Sequence, residues 1–142
     1  MRTVVSGRFE LGVSADQAIG FLTPEGERGW VADWDPTYPT GHPSQAAGTV
    51  FLTQNQGTET VWLIHHIDRD NHTALYARIT PGHHAGTVHI RCEDIDHNRC
   101  AVAVTYDMTL LPGGEPAHLD VYEDARFEQM MDQWEQAITD II

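Results

Sequence analysis

Nine histidines, two cysteines and eight arginines carry most of the potential chemistry in this 142-residue chain. His65-His66 and His83-His84 invite a metal reading, because imidazole is the commonest ligand for zinc, nickel or copper. Geometry argues against pooling the pairs. With residues 73 to 80 as a strand, one pair lies beyond each end, and about eight residues at 3.3 Å hold them roughly 25 Å apart. Adjacent strand residues also face opposite sides, and no His-Glu-x-x-His or Cys-x-x-Cys pattern occurs. The reading is therefore no metal and no cofactor. A nucleophile is equally unsupported: there is no Gly-x-Ser-x-Gly elbow, and Cys92 and Cys100 sit in strand interiors, where thiols are usually inert. All eight basic residues are arginines, so Schiff-base catalysis and a phosphate-loop lysine are excluded.

Acid–base chemistry and anion recognition remain. His89 or His66 beside Tyr106 is suited to moving a proton in an aldol cyclisation or dehydration, with the phenol and an arginine holding the enolate. Tyr76 and Arg78 share a side of their strand. The simpler reading makes them an exposed pair; facing inward they would give an apolar pocket one cation and one hydroxyl for a carboxylate or enolate. Glu27 and Arg28 read as a solvated helix face.

The elements that must position these groups follow from period and punctuation. Residues 2 to 12 alternate, with Val5, Phe9 and Leu11 on one side, as a half-buried strand does. Ser14-Ala15-Asp16-Gln17 is a capping box opening a short helix over 15 to 22, and Pro24 opens a second with Trp30, Val31 and Trp34 as its apolar members. Residues 35 to 48 form a long loop, either a lid or a loosely ordered connector. Five strand-like runs follow, at 48 to 54, 59 to 67, 73 to 80, 86 to 95 and 100 to 110, with turns too short for crossover helices, so they form an antiparallel meander. After Leu111-Pro112-Gly113-Gly114-Glu115-Pro116 the remainder reads as one long helix, its stripe Phe127, Met130, Met131, Trp134, Ile138 and Ile141 facing the sheet. Parity puts Val102, Val104, Tyr106 and Met108 inward. Apolarity favours Val88, Ile90 and Cys92 on β-strand 86 to 95, although a turn of odd count would bring His89 and Arg91 inside instead. Trp62 is favoured inward over Val61 by the burial its ring would otherwise forfeit.

Length bounds the chain to one domain, residues 1–142. Eight Lys+Arg against 21 Asp+Glu give a formal charge of -13, which repels a nucleic-acid backbone or an anionic leaflet. No apolar run approaches the roughly 18 residues of a membrane span, and Met1-Arg2-Thr3 leads directly into a strand, so the expectation is a cytoplasmic protein with no membrane insertion. Two cysteines do not make a disulfide framework; free buried thiols are expected.

The order of elements, together with Trp30 and Trp34, Gly48-Thr49-Val50-Phe51, Val61-Trp62, Pro81-Gly82 and Val104-Thr105-Tyr106, resembles the START-like helix-grip superfamily, and within it the polyketide cyclase/dehydrase-like (SRPBCC) group. The resemblance implies an α+β fold in the order β-α-α-β-β-β-β-β-α, a curved antiparallel sheet of about six strands wrapped around the C-terminal helix. It also implies a cavity between sheet and helix that takes lipids, polyketides or other apolar molecules. The lining expected here is Trp62, Ile79, Val104, Tyr106, Phe127, Met131 and Trp134, with Tyr76, Arg78, His89 and Arg91 as polar candidates and the 35 to 48 loop at the mouth. Three functions follow. The first is a monomeric or homodimeric binder of a hydrophobic or amphipathic small molecule; the second is a cofactor-free cyclase or dehydratase using His89 and Tyr106; the third is a protein-interaction module with no small ligand.

Overall fold

The first alternating segment becomes β1 (Arg2–Leu11), with Val5, Phe9 and Leu11 buried, and the capping box starts α1 (Ala15–Phe21). Ser14 Oγ accepts from the Gln17 amide at 3.3 Å while the Gln17 side chain accepts from the Ser14 amide at 3.4 Å, so two otherwise orphaned donors are satisfied. These elements belong to a computed structural model that describes residues 1–142. The expected second helix is cut to one 3₁₀ turn, Gly26–Gly29. Glycines flank that turn, and the indoles that follow are held by backbone instead of by a helix: Trp30 Nε1 donates to the Phe21 carbonyl at 2.7 Å and Trp34 Nε1 to the Pro24 carbonyl at 2.8 Å.

The meander comprises β2 (Val50–Asn55), β3 (Thr58–Asp68), β4 (Thr73–Thr80), β5 (His84–Asp96) and β6 (Arg99–Leu110). β1 crosses over to pair with β6, giving one antiparallel sheet in the order β1-β6-β5-β4-β3-β2. Bulges at Ile64/His66 in β3 and Asp94/Asp96 in β5 absorb odd residues. As a result the apolar sets of all the strands stay on one face. The C-terminal segment is not one continuous helix: a 3₁₀ stretch, Pro116–Tyr122, is separated from α2 (Asp124–Thr139) by Glu123 in extended conformation.

α2 packs chiefly on β1. Gly7 is what allows it so close, since a Cβ there would stand 2.8 Å from Met131 Cγ and 3.0 Å from the Phe127 ring. The inner face of β2 to β4, away from α2, is covered instead by the segment around Trp30, Trp34 and Tyr38. The 35 to 48 loop is fastened to this edge. Arg28 bridges Glu25 and Asp35 at 3.0 and 2.6 Å and donates to the Pro36 carbonyl, Tyr38 donates to Glu25 at 2.7 Å, and Thr37 pairs with Leu52 of β2. Residues 35 to 38 therefore shield part of an edge strand at Leu52. No helix is long and apolar enough to cross a membrane.

Cys92 and Cys100 are both buried and free, in register with Val102 and Asp94 respectively instead of with each other. Burial pushes the Cys92 thiol up to about 12.

Candidate functional site

An aromatic box occupies the inner face where β2, β3 and β4 adjoin. Phe51 and Trp62, cross-strand partners, stack with ring centroids 5.5 Å apart and planes within 5°. Trp34 stands edge-on to Trp62 at 5.7 Å, and Tyr76 does so at 6.3 Å. The polar tips are pinned: Trp62 Nε1 donates to Thr53 Oγ1 at 2.9 Å and Tyr76 Oη to the Leu22 carbonyl at 2.7 Å. Trp134 of α2 reaches the far side and meets Trp30 at 5.5 Å.

Little space is left inside. The small cavity bounded by Glu27, Trp62, Tyr76, Tyr106 and Trp134 is about 20 Å³, room for one or two water-sized bodies. Where α2 lies on β1, Val104, Phe127 and Met131 are buried and Phe127 and Met131 close over Gly7. The cavity expected between helix and sheet is therefore shifted sideways: Gly7 lets α2 settle onto β1, and room remains between Met130 of α2 and the inner face of β3 to β5. Space lies instead to one side, in a groove of about 570 Å³ that runs from Val31–Trp34 past Thr53, Thr60 and Trp62 to Arg78, Thr80 and His84, with Met130 of α2 as an apolar wall.

Arg78 sits where groove and cavity adjoin. It is the register partner of Trp62, and its guanidinium carbon lies 4.6 Å from the indole centroid, a cation–π contact. Facing it in β5 is Gly86, where a Cβ would run into the Asp107 carbonyl. Arg78 is in no ion pair, and its Nε is buried without a hydrogen-bond partner. His84 is only 7% exposed, and neither ring nitrogen reaches a partner. Burial first, then the Arg78 charge, lowers His84 to about 4, so it is neutral through physiological pH. Tyr106 and Tyr122 stack at 5.1 Å beside them, and burial raises both phenols, so they keep their protons.

Glu27, on the 3₁₀ turn, aims its carboxyl at the apolar cavity. Loss of hydration pushes it up to about 8, and the Arg78 charge only partly opposes this. The solvated-face reading of Glu27 is corrected. Its signal was present, since Glu27 precedes Trp30 by three residues and Trp34 by seven and so falls on their stripe. Arg28 does lie on the exposed side.

The other sequence candidates divide cleanly. Trp62, Tyr76, Arg78 and Tyr106 are brought together, with Trp134 closing the cavity; for Tyr76 and Arg78 this overturns the simpler, exposed reading. Ile79 is 46% exposed on the outer face, as its neighbours Arg78 and Thr80 take the inner one. His89 and Arg91 also point outward, because Val88 and Ile90 pair with Tyr106 and Val104 and the Asp94/Asp96 bulge keeps that parity. A mechanism through His89 is thereby removed. His84 is legible from the same parity, two steps back from Val88 past Gly86, although the sequence alone presents it only as a metal-ligand candidate. His83, its neighbour, stacks on His118 at 3.8 Å.

No protein-family model matches this sequence, and no curated protein matches it. Solved structures do. A START superfamily protein from Mycobacterium smegmatis is similar with a TM-score of 0.69 at 11% identity, covering 99% of this chain and 97% of that one. Norcoclaurine synthase from Thalictrum flavum, in complex with dopamine and hydroxybenzaldehyde, gives 0.68 at 12% identity, covering 99% and 86%. The Mll3558 protein from Rhizobium loti gives 0.70 at 13%, covering 100% and 98%. The chain has the START-like helix-grip fold, a six-stranded antiparallel sheet with a C-terminal helix. Identities this low establish the fold alone, and function must be argued from the site.

Proposed function

We propose that this protein binds a hydrophobic or amphipathic small molecule in the lateral groove, with the aromatic box as its floor. The groove of about 570 Å³ carries the reading, because it falls within the range of small-molecule sites and joins an apolar wall to convergent polar groups. Trp34, Trp62 and Met130 supply the apolar contacts, and an occupant removes roughly 25 cal/mol per Å² of apolar surface from water. Titration with the uncharged fluorophore N-phenyl-1-naphthylamine tests this. Saturable binding is expected, with energy transfer from the tryptophans, and Met130→Glu should weaken it at least tenfold without altering the fold. An absence of saturable binding, or binding indifferent to Met130→Glu, overturns the proposal.

A second reading is supported by Glu27 beside Tyr106: a carboxyl titrating near neutrality is suited to accept and return a proton. In that case an enolisable ligand is turned over, and Glu27→Gln abolishes turnover while leaving binding intact. Turnover that survives Glu27→Gln eliminates this reading.

A further inference from the structure

The polar end of the groove has an excess of donors. Of the eight arginines, Arg2, Arg8, Arg28, Arg91 and Arg99 are each ion-paired with a carboxylate, although the chain carries 21 acidic residues. Arg78 alone combines a buried, unpartnered nitrogen with no ion pair. Its neighbour His84 is more than nine-tenths buried, and both of its ring nitrogens are unpartnered. An unsatisfied buried donor is costly, and more so when charged, so two such side chains at one groove end call for an acceptor. Glu27, the carboxyl that feels the Arg78 charge, holds its proton up to about pH 8 and so leaves that charge uncompensated.

Register explains how the donors converge. Trp62, Arg78 and Gly86 form one inward row across β3, β4 and β5, and Thr60, Thr80 and His84 form the next. Thr60 and Thr80 hydroxyls share one hydrogen bond at 2.8 Å, which leaves one hydroxyl proton free. Arg78 is preorganised by its seat on Trp62, so an incoming group meets a guanidinium already held in place. Asp33, exposed at the rim, is the only carboxylate lining the groove.

We infer that the groove selects an anion: a small molecule with an apolar, ring-sized body against Trp34 and Trp62 and a carboxylate oxygen pair held by Arg78, with His84 as a neutral donor. This rests on the groove being a small-molecule site and names the class it takes. A guanidinium offers two parallel N–H donors that match a carboxylate, and one His84 nitrogen adds a third donor. Low local dielectric strengthens this contact, whereas a neutral amide offers one uncharged acceptor oxygen and leaves the Arg78 charge without a counter-charge. The chain's overall negative charge does not prevent it, since charges beyond about 8–10 Å are largely screened at physiological salt.

The test uses naphthalene-2-carboxylate and naphthalene-2-carboxamide, equal in shape and different in charge, measured by calorimetry alongside N-phenyl-1-naphthylamine. The carboxylate should bind at least tenfold more tightly than the amide. Arg78→Gln should erase that preference, Arg78→Lys should keep part of it because the charge remains without the fork, and His84→Gln should reduce it severalfold. Should Arg78→Gln fail to fold, Arg78→Lys and His84→Gln carry the same comparison. Equal affinities for acid and amide, or a preference that these variants leave unchanged, would overturn the anion assignment while the uncharged fluorophore still bound. If none of the three probes binds, the groove reading itself falls.

Discussion

Glu27 and His84 are opposite cases of one physical effect, because burial removes the charge from each. His84 ordinarily titrates at 6.5 and is lowered to about 4, so between those values only the unfolded chain takes up the proton and stability falls with falling pH. Glu27 ordinarily titrates at 4.5 and is raised to about 8, so between those values only the unfolded chain releases its proton and stability falls with rising pH. The two slopes cancel over their common range, roughly pH 4.5 to 6.5, and Glu27 alone acts from 6.5 to 8. Each pH unit in that window is worth up to about 1.4 kcal/mol, and Glu27 is not wholly enclosed, so a loss of about 1–2 kcal/mol is expected. Urea unfolding of wild type at pH 6.5 and pH 8 should show this loss, and Glu27→Gln should remove it. A variant that keeps the wild-type slope would mean that the carboxyl is hydrated and lies outside the cavity.

At the level of elements, the fit between α2 and β1 decides where ligand space exists. The stripe Phe127, Met131 and Ile138 was readable from helical spacing, but that Gly7 would draw the helix flush onto the sheet was not. Glycine in a strand has several meanings, and only the partner element tells which applies. Gly7→Ala is therefore expected to cost about 1–3 kcal/mol, at the lower end if the flexible Met131 chain yields, and Gly7→Val to cost more. Chemical denaturation measures both. A neutral Gly7→Ala would mean slack beneath α2 and would revive the interior cavity discounted above. The strands were legible because period-2 patterns and short turns survive context, whereas inward or outward facing hinged on single-residue bulges at Ile64/His66 and Asp94/Asp96. Hence the box of Trp62, Tyr76, Arg78 and Tyr106 was partly foreseen. Ile79 was misplaced by one residue of phase, His89 and Arg91 face outward as the apolarity of Val88, Ile90 and Cys92 favoured, and the stripe that carries Glu27 inward was outweighed by Glu25 and Arg28, which make the turn read as solvated.

For the whole molecule, the same two residues alter the charge that the solvent experiences. The formal -13 becomes about -12 while Glu27 holds its proton, and because His84 refuses one, the other eight histidines can bring the chain only to about -4. Self-repulsion of this size opposes compactness over distances that salt controls. Five arginines already neutralise carboxylates in place, so the surplus acid is spread over the surface, where screening is effective. Raising sodium chloride from about 20 mM to about 500 mM shortens the screening length from roughly 20 Å to roughly 4 Å. At pH 8 this should raise the melting temperature by several degrees, about 2–4 °C for each kcal/mol relieved in a chain of this size. Histidine as a residue type gains charge as pH falls through about 6.5, so at pH 5.5 the acidic imbalance is smaller and the gain should be smaller. Scanning calorimetry at the four combinations of salt and pH decides the matter. Equal gains at both pH values would show that the salt acts by general exclusion from the protein surface, with the acidic imbalance contributing nothing to the stability of the fold.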